Sequence, residues 1–223
     1  PEYSVSMQAL YRVLNFYEKL NIPVNLVMWR PNDWDVEQLP QMVKSVIDLL
    51  RYLIEEKRFS NIHYLTLYNE PDAEFRHTPK DYINMYNLMA KNLDQSNLEV
   101  KLIGGDTTQY GLKFLSSTLT DSISNIVDHF SFHQYIRYNI PMINYLNDIT
   151  KVIKEIRKTS NKPIVIWEFN LQGEGAGTYT SGYAPNSSQH ILDEYSSSII
   201  LTEYIIQCLN AGIAGMSYWE VYD

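Results

Sequence analysis

Cysteine is nearly absent from this chain: Cys208 stands alone among 223 residues. No internal disulfide can form, and no set of thiols exists to hold a zinc ion. The lack of disulfides leans toward a reducing compartment without excluding secretion, so cytoplasmic and secreted locations both stay open. Cys208 lies in an apolar helical stretch with no basic neighbour or helix start to activate it, and is expected to be a buried structural thiol. Long apolar runs are missing too, since none approaches the ~18 residues that span a bilayer. Basic residues are few: 18 Lys and Arg against 26 Asp and Glu give a net charge of −8, and they adjoin only at Lys57-Arg58 and Arg157-Lys158. Such a surface repels nucleic acid and anionic membrane, so neither is expected as a partner, and a neutral or cationic ligand suits it better. A phosphate cradle is also missing. The nearest approach to G-x-G-x-x-G is Gly173, Gly175 and Gly177, where the position that should complete the motif is Thr178, and no Gly-Lys-Ser/Thr follows. Those glycines read as a flexible loop. The chain starts at Pro1 rather than Met, which places the translated N-terminus upstream and leaves room for a removed leader.

What is present is a repeating alternation. Hydrophobic residues make up 45% and charged residues 20%, the balance of an ordinary globular protein rather than a disordered one. Six short apolar runs, Val24–Trp29, His63–Asn69, Val100–Gly105, Val127–Tyr135, Pro163–Phe169 and Gly215–Val221, alternate with amphipathic stretches. The helical stretches begin near Val5, Val36, Pro79, Gly111, Met142 and Gln189. In the second of them Met42, Val46, Leu49, Leu50 and Leu53 form one stripe, and in the first Leu10, Leu14 and Tyr17 do. Strands alternating with helices predict a parallel sheet, either doubly wound or closed into a barrel, within one domain over residues 1–223.

The residues suited to chemistry fall at the C-terminal ends of the apolar runs, which on a (β/α)8 barrel form the catalytic mouth. In Pro163-Ile-Val-Ile-Trp-Glu-Phe-Asn170, alternation puts Ile164, Ile166 and Glu168 on the inner face, with Val165, Trp167 and Phe169 toward the helices. Asn69 and Glu70 end another strand, and Pro71 stops its ladder. His129, Ser131, His133 and Tyr135 share one parity against Phe130 and Phe132, and Ser217 and Trp219 point inward from the last run. Two carboxyl groups across a pocket suit glycoside hydrolysis, in which one protonates the leaving oxygen and the other stays charged to meet an oxocarbenium-like carbon. A Trp face suits the apolar side of a sugar ring.

At these positions the sequence resembles the clan A glycoside hydrolases. Tyr68-Asn69-Glu70-Pro71 resembles their Asn-Glu-Pro signature at strand four, and Ile166-Trp167-Glu168-Phe169-Asn170 their strand-seven nucleophile motif. His133-Gln134-Tyr135 is similar to their His-x-Tyr at strand six, and Ser217-Tyr218-Trp219 to the strand-eight Trp under the sugar. Gly104-Gly105 and the Tyr-Trp-x-x-x-Asp pattern of Tyr218–Asp223 look most like family 39, with family 5 close behind. The resemblance implies a retaining glycosidase cleaving β-glycosidic bonds of oligo- or polysaccharides. Glu70 is then the acid/base and Glu168 the nucleophile, with carboxyl groups about 5–5.5 Å apart. Asn69, His133, Tyr135 and Trp219 bind the sugar, Asn69 at its 2-hydroxyl and Tyr135 against Glu168, and no metal or organic cofactor is implied. Counted this way the chain carries strands three to eight of a (β/α)8 barrel, and strands one and two and the last helix are missing. Either self-association or a segment beyond this sequence is then expected to cover the open edges.

Several sharper readings are weaker than plain ones. His129 and His133 would lie roughly 13 Å apart along a strand, too far to share an ion. His77 reads as solvated, and Asp106 as lining the cleft or capping the next helix. Trp29 and Trp34 could stack on sugars or pack in the core, Tyr179 and Tyr183 are loop aromatics near substrate, and Asn186-Ser187-Ser188 fits a glycosylation triplet of little weight. A catalytically inactive carbohydrate-binding barrel or truncated pseudoenzyme is the alternative, though it would usually have lost one of the two acids. An enzyme of phosphorylated metabolites would want a basic residue in the loop after Glu168, and no Lys or Arg occurs through Asp223.

Overall fold

The alternation of apolar runs and amphipathic stretches becomes an α/β structure in the computed structural model, which describes residues 2–28, 36–74, 78–137, 140–172 and 195–219. The helices are α1 (Glu2–Lys19), α2 (Leu39–Arg51), α3 (Pro71–Glu74), α4 (Pro79–Ser96), α5 (Leu112–Phe114), α6 (Thr120–Ile123), α7 (Met142–Ile156) and α8 (Tyr195–Ala211). The strands are β1 (Val24–Val27), β2 (Ile62–Thr66), β3 (Lys101–Thr107), β4 (His129–Arg137), β5 (Ile164–Gln172) and β6 (Gly215–Tyr218). Strand order follows chain order from β1 to β6, and β1–β2, β2–β3, β4–β5 and β5–β6 pair in parallel. A doubly wound sheet would reverse its order at a switch point. The unbroken order is instead that expected of strands three to eight of a (β/α)8 barrel.

The chain divides into two compact units, Pro1–Gly104 with Asn125–Asp128, and Gly105–Ser124 with His129–Asp223. In the first, α2 packs against α4, and Leu50, Leu53, Leu65, Met85 and Met89 are fully buried. Each such side chain contributes on the order of 1.5–3 kcal/mol by leaving water. Helix α4 starts on a reciprocal cap: Asp81 N–H donates to Thr78 Oγ1 and Thr78 N–H to Asp81 Oδ2, with Pro79 at the first turn where its missing N–H costs nothing. It ends at Asn97, whose φ of 57° suits a left-handed cap. A 3-10 turn, Val36–Gln38, leads into α2, and a π-helical turn, Tyr52–Glu56, extends it.

The buried stripe of α2 is rotated from the expected one. Leu39, Val43, Val46, Ile47 and Leu50 are buried, whereas Leu49 is exposed and Met42 only half-buried. Both stripes obey helical spacing, and the packing against α4 selects one of them. On α1, Leu14 is fully buried but Tyr17 is 38% exposed, so the expected stripe narrows to its centre.

In the second unit α7 packs against α8, and Phe130, Phe132, Ile149, Ile164, Ile166, Tyr204 and Cys208 are buried. Cys208 is thus the buried thiol expected. The main correction lies in β5. Phe132 pairs with Ile166, but His133 pairs with Glu168, and on the other side Ile166 pairs with Met216 but Phe169 with Tyr218. Trp167 is therefore an extra residue, a β-bulge that resets the alternation. Ile164 and Ile166 share the face of Phe130 and Phe132, not that of Glu168. Val165, which pairs with Ser131, is the residue that belongs to the Glu168 face. Phe169 does face the helices, its ring 6.1 Å from Tyr204 of α8.

Candidate active site

Each unit carries its own part of the chemistry. In the first, the β2 ladder ends at Thr66, so Asn69 and Glu70 follow the strand rather than terminate it. Glu70 has φ +50°, incompatible with continued pairing, and Pro71 opens α3 directly after it. Asn69 is buried at 1% exposure and Glu70 half-buried. The buried Tyr86 hydroxyl steadies this stretch, donating to Ile103 C=O at 2.7 Å and accepting from Leu67 N–H at 3.4 Å. Below it, Asn25 Nδ2 donates to Thr66 Oγ1 at 2.9 Å.

In the second unit the bulge brings the carboxylate to the polar face of β4. Tyr135 Oη donates to Glu168 Oε2 at 3.0 Å. Nδ1 of His133 lies 3.4 Å from the same oxygen, and Nε2 of His133 lies 3.4 Å from Asp106 Oδ1. His133 and Asp106 are buried, and Glu168 is 9% exposed. Asp106 belongs to β3, while the first turn after it is capped at Gly111, so of its two expected roles the helix cap is excluded. Asp106 is held in place by Ser131, whose Oγ donates to Asp106 Oδ1 and accepts from Asp106 N–H, both at 3.0 Å. Gln109 Oε1 accepts from Tyr135 N–H at 3.1 Å and from Gln134 Nε2 at 3.0 Å, fixing the backbone that carries the tyrosine.

Trp219 follows β6 and is 41% exposed, its N–H donating to Phe169 C=O at 3.0 Å. Its own carbonyl accepts from Asn170 Nδ2 at 2.6 Å. Because Phe169 pairs with Tyr218, Trp219 falls next to Asn170, on the Glu168 parity. Of the expected set, the second unit thus assembles His133, Tyr135 and Glu168 around one carboxylate, with Trp219 further along. Asn69 and Glu70 stand together in the first. Ser131 and Gln109 were not singled out from the sequence for their contacts. Only the parity of Ser131 with His133 hinted at its place. Trp29, Trp34, His77, Tyr179, Tyr183, Asn186 and the Gly173–Gly177 run lie outside the described residues.

One oxygen of Glu168 thus accepts the Tyr135 phenol hydrogen and has the His133 ring at 3.4 Å, in surroundings that admit little water. Among the described residues no helix is long and apolar enough to cross a membrane.

No curated protein sequence matches the chain. Similar solved structures include a GH39 β-xylosidase from Caulobacter crescentus (TM-score 0.56, 16% identity, covering 89% of this chain and 44% of that one). A glucosidase from Croceicoccus marinus is similar at TM-score 0.68 and 12% identity, over 92% of this chain and 43% of that one. A family 51 α-L-arabinofuranosidase from Bifidobacterium longum is similar at TM-score 0.64 and 16% identity, over 94% and 49%. At these identities the likeness is one of fold, and the chain spans less than half the length of each of the three. Families 39 and 51 both belong to clan A, which the strand-end motifs resemble. The family model described as glycosyl hydrolase catalytic core matches residues 15–194, the stretch that carries Asn69, Glu70, His133, Tyr135 and Glu168. With most of its length matched, the chain belongs to the glycosyl hydrolase catalytic core family.

Proposed function

We propose that this chain is the catalytic core of a retaining glycoside hydrolase acting on β-linked oligo- or polysaccharides, with Glu168 as nucleophile and Glu70 as acid/base. The observation that carries the reading is the Tyr135 hydrogen bond to Glu168 Oε2 at 3.0 Å, with His133 at 3.4 Å from the same atom. A hydrogen bond donated to a buried carboxylate favours its ionised form, which a nucleophile needs at neutral pH. Glu70 is not so enclosed: it is half-buried after β2.

In the first step an oxygen of Glu168 bonds to the anomeric carbon as the bond to the leaving oxygen breaks, and Glu70 gives its proton to that oxygen. In the second, Glu70, now a carboxylate, takes a proton from water while the water oxygen bonds to the anomeric carbon. The glycosyl–Glu168 bond breaks and the configuration is restored. Asn69 holds the 2-hydroxyl, and Trp219 offers an apolar platform to the ring.

The test uses the full-length protein and aryl β-xyloside, β-glucoside and β-mannoside substrates. Proton NMR of the first-formed product should show retained anomeric configuration. A 2-deoxy-2-fluoro aryl glycoside of the preferred sugar should add one glycosyl mass to the Glu168 peptide. Inversion, or a label on another residue, would remove Glu168 from this role.

A further inference from the structure

We propose that Asp106 is a positioning residue that holds His133 as an imidazolium, and that this cation keeps the Glu168 carboxylate ionised and aimed. The inference rests on the reading of Glu168 as nucleophile.

Asp106 sits at the end of β3 with φ +48°, directly after Gly105 at φ +101°, and is fully buried. Its Oδ1 accepts from the Ser131 hydroxyl and lies 3.4 Å from His133 Nε2; Asp106 Oδ2 and His133 Nε2 are both buried with no hydrogen-bond partner among the described residues. A buried carboxylate served by one hydroxyl is strongly unfavourable without a counter-charge. The nearest candidate is His133, whose side chain is 1% exposed and whose Nε2 faces Asp106 at 3.4 Å. The other ring nitrogen faces Glu168 Oε2 at the same separation. A neutral imidazole has a single N–H, so one of its nitrogens would present a lone pair to a carboxylate. An imidazolium presents a proton to each.

The charge count agrees. Asp106 and Glu168 flank one imidazolium and leave a net charge of −1, which is what an ionised nucleophile requires. When Glu168 becomes a neutral ester in the covalent intermediate, Asp106 still neutralises the imidazolium, so His133 need not lose its proton between steps. Among the described residues of this unit, Asp106 from β3 and Glu168 from β5 face His133, and the Tyr135 phenol, two residues on along β4, reaches Glu168. Ser131 sets Asp106 in place but contributes no charge.

The experiment is 15N NMR of the full-length protein labelled at histidine, with the His133 signals assigned by their loss in His133→Gln. Both ring nitrogens should be protonated at pH 7, with a titration midpoint above the usual ~6.5 of histidine. Asp106→Asn should lower that midpoint by about one pH unit or more, a tenfold change in the protonation equilibrium. The acidic limb of its kcat/KM profile should move to higher pH. Ser131→Ala, which keeps the charge, should lower activity without that shift. A neutral His133 at pH 7 in the unmodified protein overturns the inference and needs no variant to fold; an unmoved midpoint in Asp106→Asn overturns it equally. Covalent labelling separates the two readings. A labelled Glu168 beside a neutral His133 defeats only the role given to Asp106. A cationic His133 with no label on Glu168 defeats the nucleophile reading and, with it, that role.

Discussion

Tyr135 and Glu168 are joined by a 3.0 Å hydrogen bond although they are not register partners: Tyr135 pairs with Asn170, and Glu168 pairs with His133. The phenol therefore leans back along the strand to reach the carboxylate two residues earlier on β5. That reach depends on the bulge at Trp167. With a regular ladder Glu168 would lie opposite Gln134, on the helix side.

Tyr135→Phe removes this bond and leaves the ring in place. A hydrogen bond to a charged group contributes roughly 1.5–3 kcal/mol, so kcat/KM should fall about ten- to a hundredfold on aryl glycosides. A rate equal to that of the unmodified protein would show that the hydroxyl does not assist Glu168.

Leaving-group dependence distinguishes the two acids. Glu168→Ala in the full-length protein should abolish turnover of every substrate, because no covalent intermediate can form. Glu70→Ala should spare the first step for activated aryl leaving groups, which need little protonation. Equal losses on activated and unactivated glycosides would contradict the acid/base assignment.

Gly105 is required by both conformation and space. It holds φ +101°, and a Cβ there would come 2.6 Å from Leu115 Cδ1 and 2.7 Å from the Ser131 carbonyl oxygen. The leucine can turn aside, but the backbone oxygen cannot. Left-handed strain of roughly 1–2 kcal/mol and overpacking of about 1–3 kcal/mol should both appear in Gly105→Ala. Denaturant titration should show a loss of at least about 2 kcal/mol, and a midpoint unchanged within error would refute the steric account.

Burial pushes the Cys208 thiol up to about 11. The fold thus favours the neutral thiol, and this contribution to stability is present below the unfolded thiol value and lost as pH rises through about 11. At pH 8 iodoacetamide should leave Cys208 untouched in the native protein and modify it once denatured, as read by peptide mass. Rapid native labelling would show the thiol to be accessible.

The sequence by itself determined the class of the fold, because apolar runs alternate with amphipathic stretches, and strands separated by helices line up in parallel in chain order. It also singled out Asn69, Glu70, His133, Tyr135 and Glu168 from short local motifs, although β4 and β5 run on past His133 and Glu168 and β2 ends before Asn69. Tertiary structure decided what period alone leaves open. The bulge at Trp167 arises from the registers that β4 and β6 impose on β5, and strict alternation along one strand cannot contain it. The buried stripe of α2 was chosen by its contact with α4 from two stripes of equal spacing. Asp106 reads as a cleft or cap residue in the sequence because its partners, Ser131 and His133, lie on another strand; only folding brings the three polar residues into one buried cluster.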